Sequence, residues 1–167
     1  ILQELGIKMQ DLFECSSVGK PALQYENENK LKYEQAGSRA KEIWDQSTQA
    51  TDDHPYLLSK KVQNHGLKLS EGKLVVPLYD ENSVLQSLQF ISPTGEKKFL
   101  SGGRTKGCYY PLGGIPEKTL YIAEGFATAA TIQETVGGSV AIAFNANNLK
   151  PVAISLREKF PKIEIVI

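Results

Sequence analysis

Residues 121–132 read YIAEGFATAATI, and the fold turns on how that stretch divides. A β-favouring apolar run meets Glu124-Gly125, and small residues suited to a helix follow. A strand that turns tightly into a helix begins a βαβ unit. Gly125 frees the backbone at the turn, and Ala127, Thr128, Ala129 and Ala130 keep the helix slim enough to lie close on a sheet. A core has no use for Glu124, whereas functional groups of an open α/β sheet gather at the carboxyl ends of its strands. A carboxylate placed there suits a divalent cation or general-base work. The plain structural alternative is an acid that ends a strand and is stabilised by the positive end of a helix.

Downstream the alternation continues. "SVAIAF" (139–144) reads as a strand, "NLKPVAISLREKF" (148–160) as a helix and "KIEIVI" (162–167) as a third strand. These strands are continuous apolar runs, as expected of a parallel sheet with helices on both faces. Asn145, Asn147 and Asn148 fall at the carboxyl end of the second strand, either as turn residues or, for Asn145, beside Glu124. Thr128, one helical turn beyond Glu124, is placed to hydrogen-bond it or simply to pack.

Upstream the texture differs. "KLVVPLYD" (73–80), "VLQSLQFIS" (84–92) and "EKKFL" (96–100) read as an antiparallel hairpin or meander, with the turn "PTG" before the last. Further back, Asp53 is the expected cap of a helix with Pro55 in its first turn and Gly66 at its end. Ser38 is the expected cap of "RAKEIWDQSTQA", which sets Ala40, Ile43 and Trp44 on one face. That spacing makes Trp44 a core residue. The polar stretch 15–37 reads as a loop or linker, and 1–14 as a short helix. The division is therefore 1–37, helix and linker; 38–115, a helical and β-rich basic part; and 116–167, the first half of an open parallel sheet. The fold class is α/β, with an α+β N-terminal part.

The totals are those of a soluble globular protein: 167 residues, 41% hydrophobic and 23% charged. Nineteen basic residues balance nineteen acidic ones, so net charge names no partner and only its distribution can. Cys15 and Cys108 form no disulfide framework, and with His54 and His65 they give no zinc-ligand spacing. Reduced thiols, no signal peptide and no apolar run of membrane-span length point to a cytoplasmic protein without membrane contact. The chain opens at Ile1 and closes at Ile167 inside "IEIVI", as a fragment of something longer would.

Charge is concentrated in "EKKFLSGGRTKG" (96–107), where Lys97, Lys98, Arg104 and Lys106 stand against Glu96 alone. Gly102 and Gly103 can bring N–H groups toward phosphate. Tyr109 and Tyr110 follow, a pairing that suits single-stranded nucleic acid. The spacing is not that of a Walker A loop. The alternative is a solvated hairpin edge guarded by lysines, with the tyrosines in the core.

The residues "AEGFATAATI" resemble the EGYATA motif of satellite-phage replication proteins and conjugative-plasmid primases, with Phe126 in place of the tyrosine. That motif is similar to the glutamate motif of the Toprim domain, shared by bacterial primases, topoisomerases and some nucleases. The resemblance extends over about residues 73–167, and more weakly to the helices around "SRAKEIWDQ" and "HPYLLSKK". It implies a plasmid- or phage-type DNA primase that makes short RNA primers from ribonucleoside triphosphates on single-stranded DNA. A helicase domain or protein is the further partner it suggests. It implies a Mg²⁺ or Mn²⁺ site with Glu124 as ligand and catalytic residue, and Gly125, Thr128 and Asn145 around it. Lys98, Arg104 and Lys106 would hold polyanion, and Lys97 less so, since strand neighbours face opposite sides. Phe126 would pack behind the site. The Asp-x-Asp ligands of a Toprim site would follow Ile167. The alternatives are a topoisomerase or nuclease, for which no nucleophilic tyrosine is marked, and a non-catalytic nucleic-acid-binding or assembly module.

Overall fold

The computed structural model describes residues 19–167, so the short helix expected over 1–14 and the thiol of Cys15 lie outside the described residues. Helix α1 (Gly19–Gln46) is followed by β1 (Thr48–Gln49), α2 (Pro55–Lys60), β2 (Lys68–Ser70), β3 (Lys73–Tyr79), β4 (Leu85–Ile91) and β5 (Lys97–Phe99). These five strands form one antiparallel sheet in sequence order. The meander expected over 73–100 is its larger part.

The remaining elements are β6 (Tyr110–Leu112), β7 (Thr119–Ala123), α3 (Phe126–Val136), β8 (Ser139–Ile142), α4 (Ala146–Lys159) and β9 (Glu164–Val166). They build a second sheet of order β6-β8-β7-β9, in which β7 runs parallel to both β8 and β9 and β6 runs antiparallel to β8. The βαβαβ alternation read from 119–167 is thus present. Strand β6 joins this sheet, and a two-way backbone bridge between Tyr79 and Tyr109 stitches the sheets together.

Alternation explains why the strands look uniformly apolar. Leu74, Val76 and Leu78 of β3 enter a shared core with Phe126, Ala130, Val140 and Ile142. Val75, on the other face, meets Ala40 and Leu88 beneath α1. Ala141 and Ala143 face Val152 and Leu156 of α4. Helix α3 therefore covers one face of the parallel sheet and α4 the other, and β3 is buried on both sides.

Four local expectations are corrected. Residues 19–37 are helical rather than a linker: Glu, Lys, Gln and Leu propagate a helix well even without an apolar stripe, and Pro21 sits in the first turn, where it is tolerated. Ser38 is therefore no cap. It lies mid-helix and its hydroxyl donates back to the Glu34 carbonyl. Asp53 accepts from the Thr51 hydroxyl, and His54 caps α2 instead, its Nδ1 accepting from the Tyr56 N–H. Its Nε2 donates to the Gly72 carbonyl, which fixes the tautomer. Helix α2 ends at Lys60 on a left-handed Lys61, not at Gly66.

Burial also sets an alkaline limit. It pushes the Cys108 thiol up to about 12, against a smaller opposing pull from Arg104. Burial, and then Tyr79, raise the Tyr110 phenol to about 12. Both groups hold their proton longer folded than unfolded. Their contribution is complete below the unfolded values of 9.0 and 10.0 and is lost as pH climbs toward 12. Stability should therefore fall from pH 9 upward, each group adding a slope of at most about 1.4 kcal/mol per pH unit. Urea midpoints at rising pH, in reductant, check this. Tyr110→Phe should flatten the slope, and a midpoint constant through pH 11 would refute it.

Candidate functional site

Glu124 stands at the carboxyl end of β7, the middle of the three parallel strands of the second sheet, immediately before α3. It is exposed, and Gly125 is the N-cap residue, with extended backbone. Phe126, the next residue, is completely buried and meets the His65 ring edge-on at 6.3 Å. His65 in turn is 2.6 Å from Glu134 of α3, a pair internal to the fold.

Strand β5 of the antiparallel sheet lies against the carboxyl ends of the parallel strands. A Cβ on Gly125 would come within 3.2 Å of the Lys97 ammonium. The backbone of Gly125 is one any residue adopts (φ −128°), so the turn does not require glycine as the sequence suggested; its missing side chain instead leaves room for the Lys97 ammonium. Two residues along, Phe99 meets Phe144 at the end of β8, ring centroids 6.2 Å apart. Phe144 holds a left-handed backbone (φ 72°), a strained state for an aromatic residue found preferentially at functional sites.

The alternation of β5 sends neighbouring lysines apart. Lys97 lines a cavity of about 490 Å³ with Tyr56, Lys60, Gly125, Ala127, Thr128, Thr131 and Ile132. Lys98 pairs with Glu96 at 3.0 Å and lines a different hollow beside Lys73 and Phe90. Arg104 reaches Glu81 at 3.2 Å, and with Lys106 it lines a third hollow against α4 that also holds Glu158. The structure therefore brings Lys97, Gly125 and Thr128 together next to Glu124, and places Lys98, Arg104 and Lys106 elsewhere. Asn145 caps α4 at the end of β8 without a side-chain cap bond.

The glycine-rich loop is clamped. Arg39 donates to the Ser101 carbonyl at 2.6 Å. The Gly103 N–H is taken by the Leu100 carbonyl, and a Cβ on Gly103 would fall 2.1 Å from the Ser87 hydroxyl. Gly103 is thus a packing glycine, its N–H unavailable to phosphate. Tyr109 is buried and the Tyr110 hydroxyl donates to the His65 carbonyl, so the tyrosines belong to the interior.

Asn148 was the least legible part of this region. It is buried, its Oδ1 accepts from the Gly107 N–H at 2.7 Å, and its Nδ2 donates to the Cys108 and Ala143 carbonyls at 2.9 and 2.8 Å. It fixes the basic loop to the carboxyl end of β8. The run Asn145-Ala146-Asn147-Asn148 was the signal, but nothing in it distinguishes the buried member. Asn148→Ala strands two buried carbonyls and the part-buried Gly107 N–H, and unpaired buried groups cost about 1–3 kcal/mol each before relaxation. A loss of about 2–4 kcal/mol in a denaturant titration is expected; a loss below half a kilocalorie would refute the role.

Among the described residues no three His, Cys, Asp or Glu side chains converge as a metal site. Nor is any described helix long and apolar enough to cross a membrane.

No family model matches the chain. It is 38% identical to a DNA primase TraC of Escherichia coli over 124 residues, which are 70% of the chain and 12% of that protein. A second E. coli DNA primase TraC is 35% identical over 120 residues, 68% of the chain and 8% of the relative. The chain is kin to a segment of these plasmid-type DNA primases. The primase fragment of the bacteriophage T7 primase-helicase shares the fold over 65% of the chain and 51% of its own length, with a TM-score of 0.50 and 16% identity. The TraC-like segment thus spans about a tenth of the relatives it matches, and its α/β architecture is one a primase fragment also uses.

Proposed function

We propose that the chain is the part of a DNA primase that carries the first half of a Toprim-type catalytic centre, residues 116–167, and the basic part before it, residues 38–115. The supporting observation is the position of Glu124, at the carboxyl end of the central parallel strand with the Lys97 ammonium against Gly125, in a chain 38% identical to a primase. The reaction would be synthesis of short RNA primers on single-stranded DNA from ribonucleoside triphosphates, in the cytoplasm, with a helicase as further partner.

Glu124 alone does not make a divalent-cation site. Its role on this reading is one carboxylate ligand of a Mg²⁺ or Mn²⁺ site completed by other segments, where the ion would favour attack by a hydroxyl and departure of pyrophosphate. Gly125 and Thr128 shape the space beside it, and Asn145 marks the neighbouring strand end. Lys97, and at greater remove Lys98, Arg104 and Lys106, supply positive charge for polyanion. The second reading is a nucleic-acid-binding module without turnover, which the basic residues Lys97, Lys98, Arg104 and Lys106 would serve equally.

The deciding experiment grafts this chain in place of the matching segment of TraC. Primer synthesis is assayed with labelled ribonucleotides, Mg²⁺ or Mn²⁺ and single-stranded DNA, with and without Glu124→Gln. Products from the graft and none from its variant support the primase reading. Equal template binding with no product from either supports the module.

A further inference from the structure

We propose that the groove between α4 and β6 is the contact surface of a symmetric dimer, in which Ile115 of each copy enters the groove of the other. The proposal stands apart from the primase reading. The groove encloses about 580 Å³ over an apolar floor of Leu120, Ala141, Leu156 and Phe160. Lys159 is the one charged residue on its lining. At its rim the loop Gly113-Gly114-Ile115-Pro116 leads out of β6, and Ile115 on it is 83% exposed. An apolar hollow beside an apolar knob is surface that water covers at a cost, and such surface marks contact with another molecule.

The loop is held outward. Gly113 (φ 76°) presses on Gly138, where a Cβ would fall 2.1 Å from the carbonyl oxygen, and the Ser139 hydroxyl donates to the Gly114 carbonyl at 2.6 Å. Anchored at both glycines, Ile115 is kept out of its own groove, and a second copy can fill it. Charge agrees with this occupant. Glu117, two residues past the knob, and Lys159, on the groove, are exposed, and neither forms an ion pair among the described residues. Exchange about a two-fold axis sets each knob's carboxylate beside the other copy's ammonium, twice per dimer.

Other occupants fit less well. Tyr109 exchanges both backbone bonds with Tyr79, so the next residue of β6 to face outward is Pro111, which has no N–H and obstructs pairing of sheet edges. A nucleic-acid strand needs a row of cations, and the groove has Lys159 alone. The groove also lies at the amino ends of β7 and β8, where Leu120 and Ser139 stand, at the far end of β7 from Glu124. The dimer therefore leaves the strand ends around Glu124 open. The contact patch is small, so dissociation in the micromolar range is expected.

The test is sedimentation velocity of the 167-residue chain over a dilution series, in reductant. The wild type should pass from monomer to dimer as concentration rises. Ile115→Asp should weaken the dimer at least about 100-fold, because the axis removes two buried isoleucines at once. Glu117→Lys and Lys159→Glu should each weaken it about 10-fold, and the double variant should return to within about threefold of wild type. All three positions are exposed, so folding is retained, and circular dichroism checks it. A wild type that stays monomeric at high-micromolar concentration overturns the proposal. A dimer indifferent to Ile115 does the same, as does a double variant no tighter than its parents, since another surface would then join the copies.

Discussion

Glu124→Gln should lower primer synthesis by the TraC graft at least about 100-fold and leave template binding unchanged. Groups one shell removed from a metal already cost about 10–100-fold when lost, so a direct ligand should cost more. Glutamine keeps the size of the side chain and removes the charge. Glu124 is exposed and no hydrogen bond of the described residues depends on it, so the fold should lose little. The favourable placement of negative charge before α3 is worth only about 0.3–1 kcal/mol. Activity and stability therefore separate: rate falls steeply while the thermal midpoint hardly moves. If Glu124 merely ended β7, the opposite pattern would appear, a small shift in midpoint with synthesis intact. That outcome would refute its assignment as a ligand.

The parallel half was legible because its signals agree with one another. Leu120–Ala123 and Ser139–Ile142 are short apolar runs, glycines punctuate them, and slim helices lie between. What failed upstream failed for identifiable reasons. Residues 19–37 have helical propensity without amphipathic spacing; the helix packs on β4 chiefly further along, through Gly37 against the Leu85 carbonyl and Ala40, Ile43 and Trp44 around Leu88. The β2–β3 hairpin went unread because its turn is Glu71-Gly72, with φ of 49° and 71°, where asparagine or aspartate is the usual first residue. Strand alternation told that Lys97 and Lys98 diverge, but not which of them lies against Gly125. That depends on how β5 crosses the second sheet, a contact between segments nearly thirty residues apart. The same holds for Asn148, whose partners lie in distant parts of the chain.

Phe126→Ala should destabilise the protein by about 3–5 kcal/mol, the usual cost of removing a buried aromatic ring. The ring is completely buried where α3, β3 and β8 meet, and it belongs to the core cluster that contains residues of both sheets. Its neighbours are strand residues held by ladder bonds, so the void cannot collapse readily, which puts the cost toward the upper end. The His65 ring would also lose its edge-on contact, leaving its pair with Glu134. Phe126→Tyr is the discriminating companion, since tyrosine stands at this position in the motif the chain resembles. A hydroxyl buried without a partner costs about 1–3 kcal/mol, so a neutral tyrosine would mean that a polar atom lies within its reach. Urea unfolding of both variants decides. A loss under about 1 kcal/mol for the alanine would mean that the two sheets do not share the core through this ring.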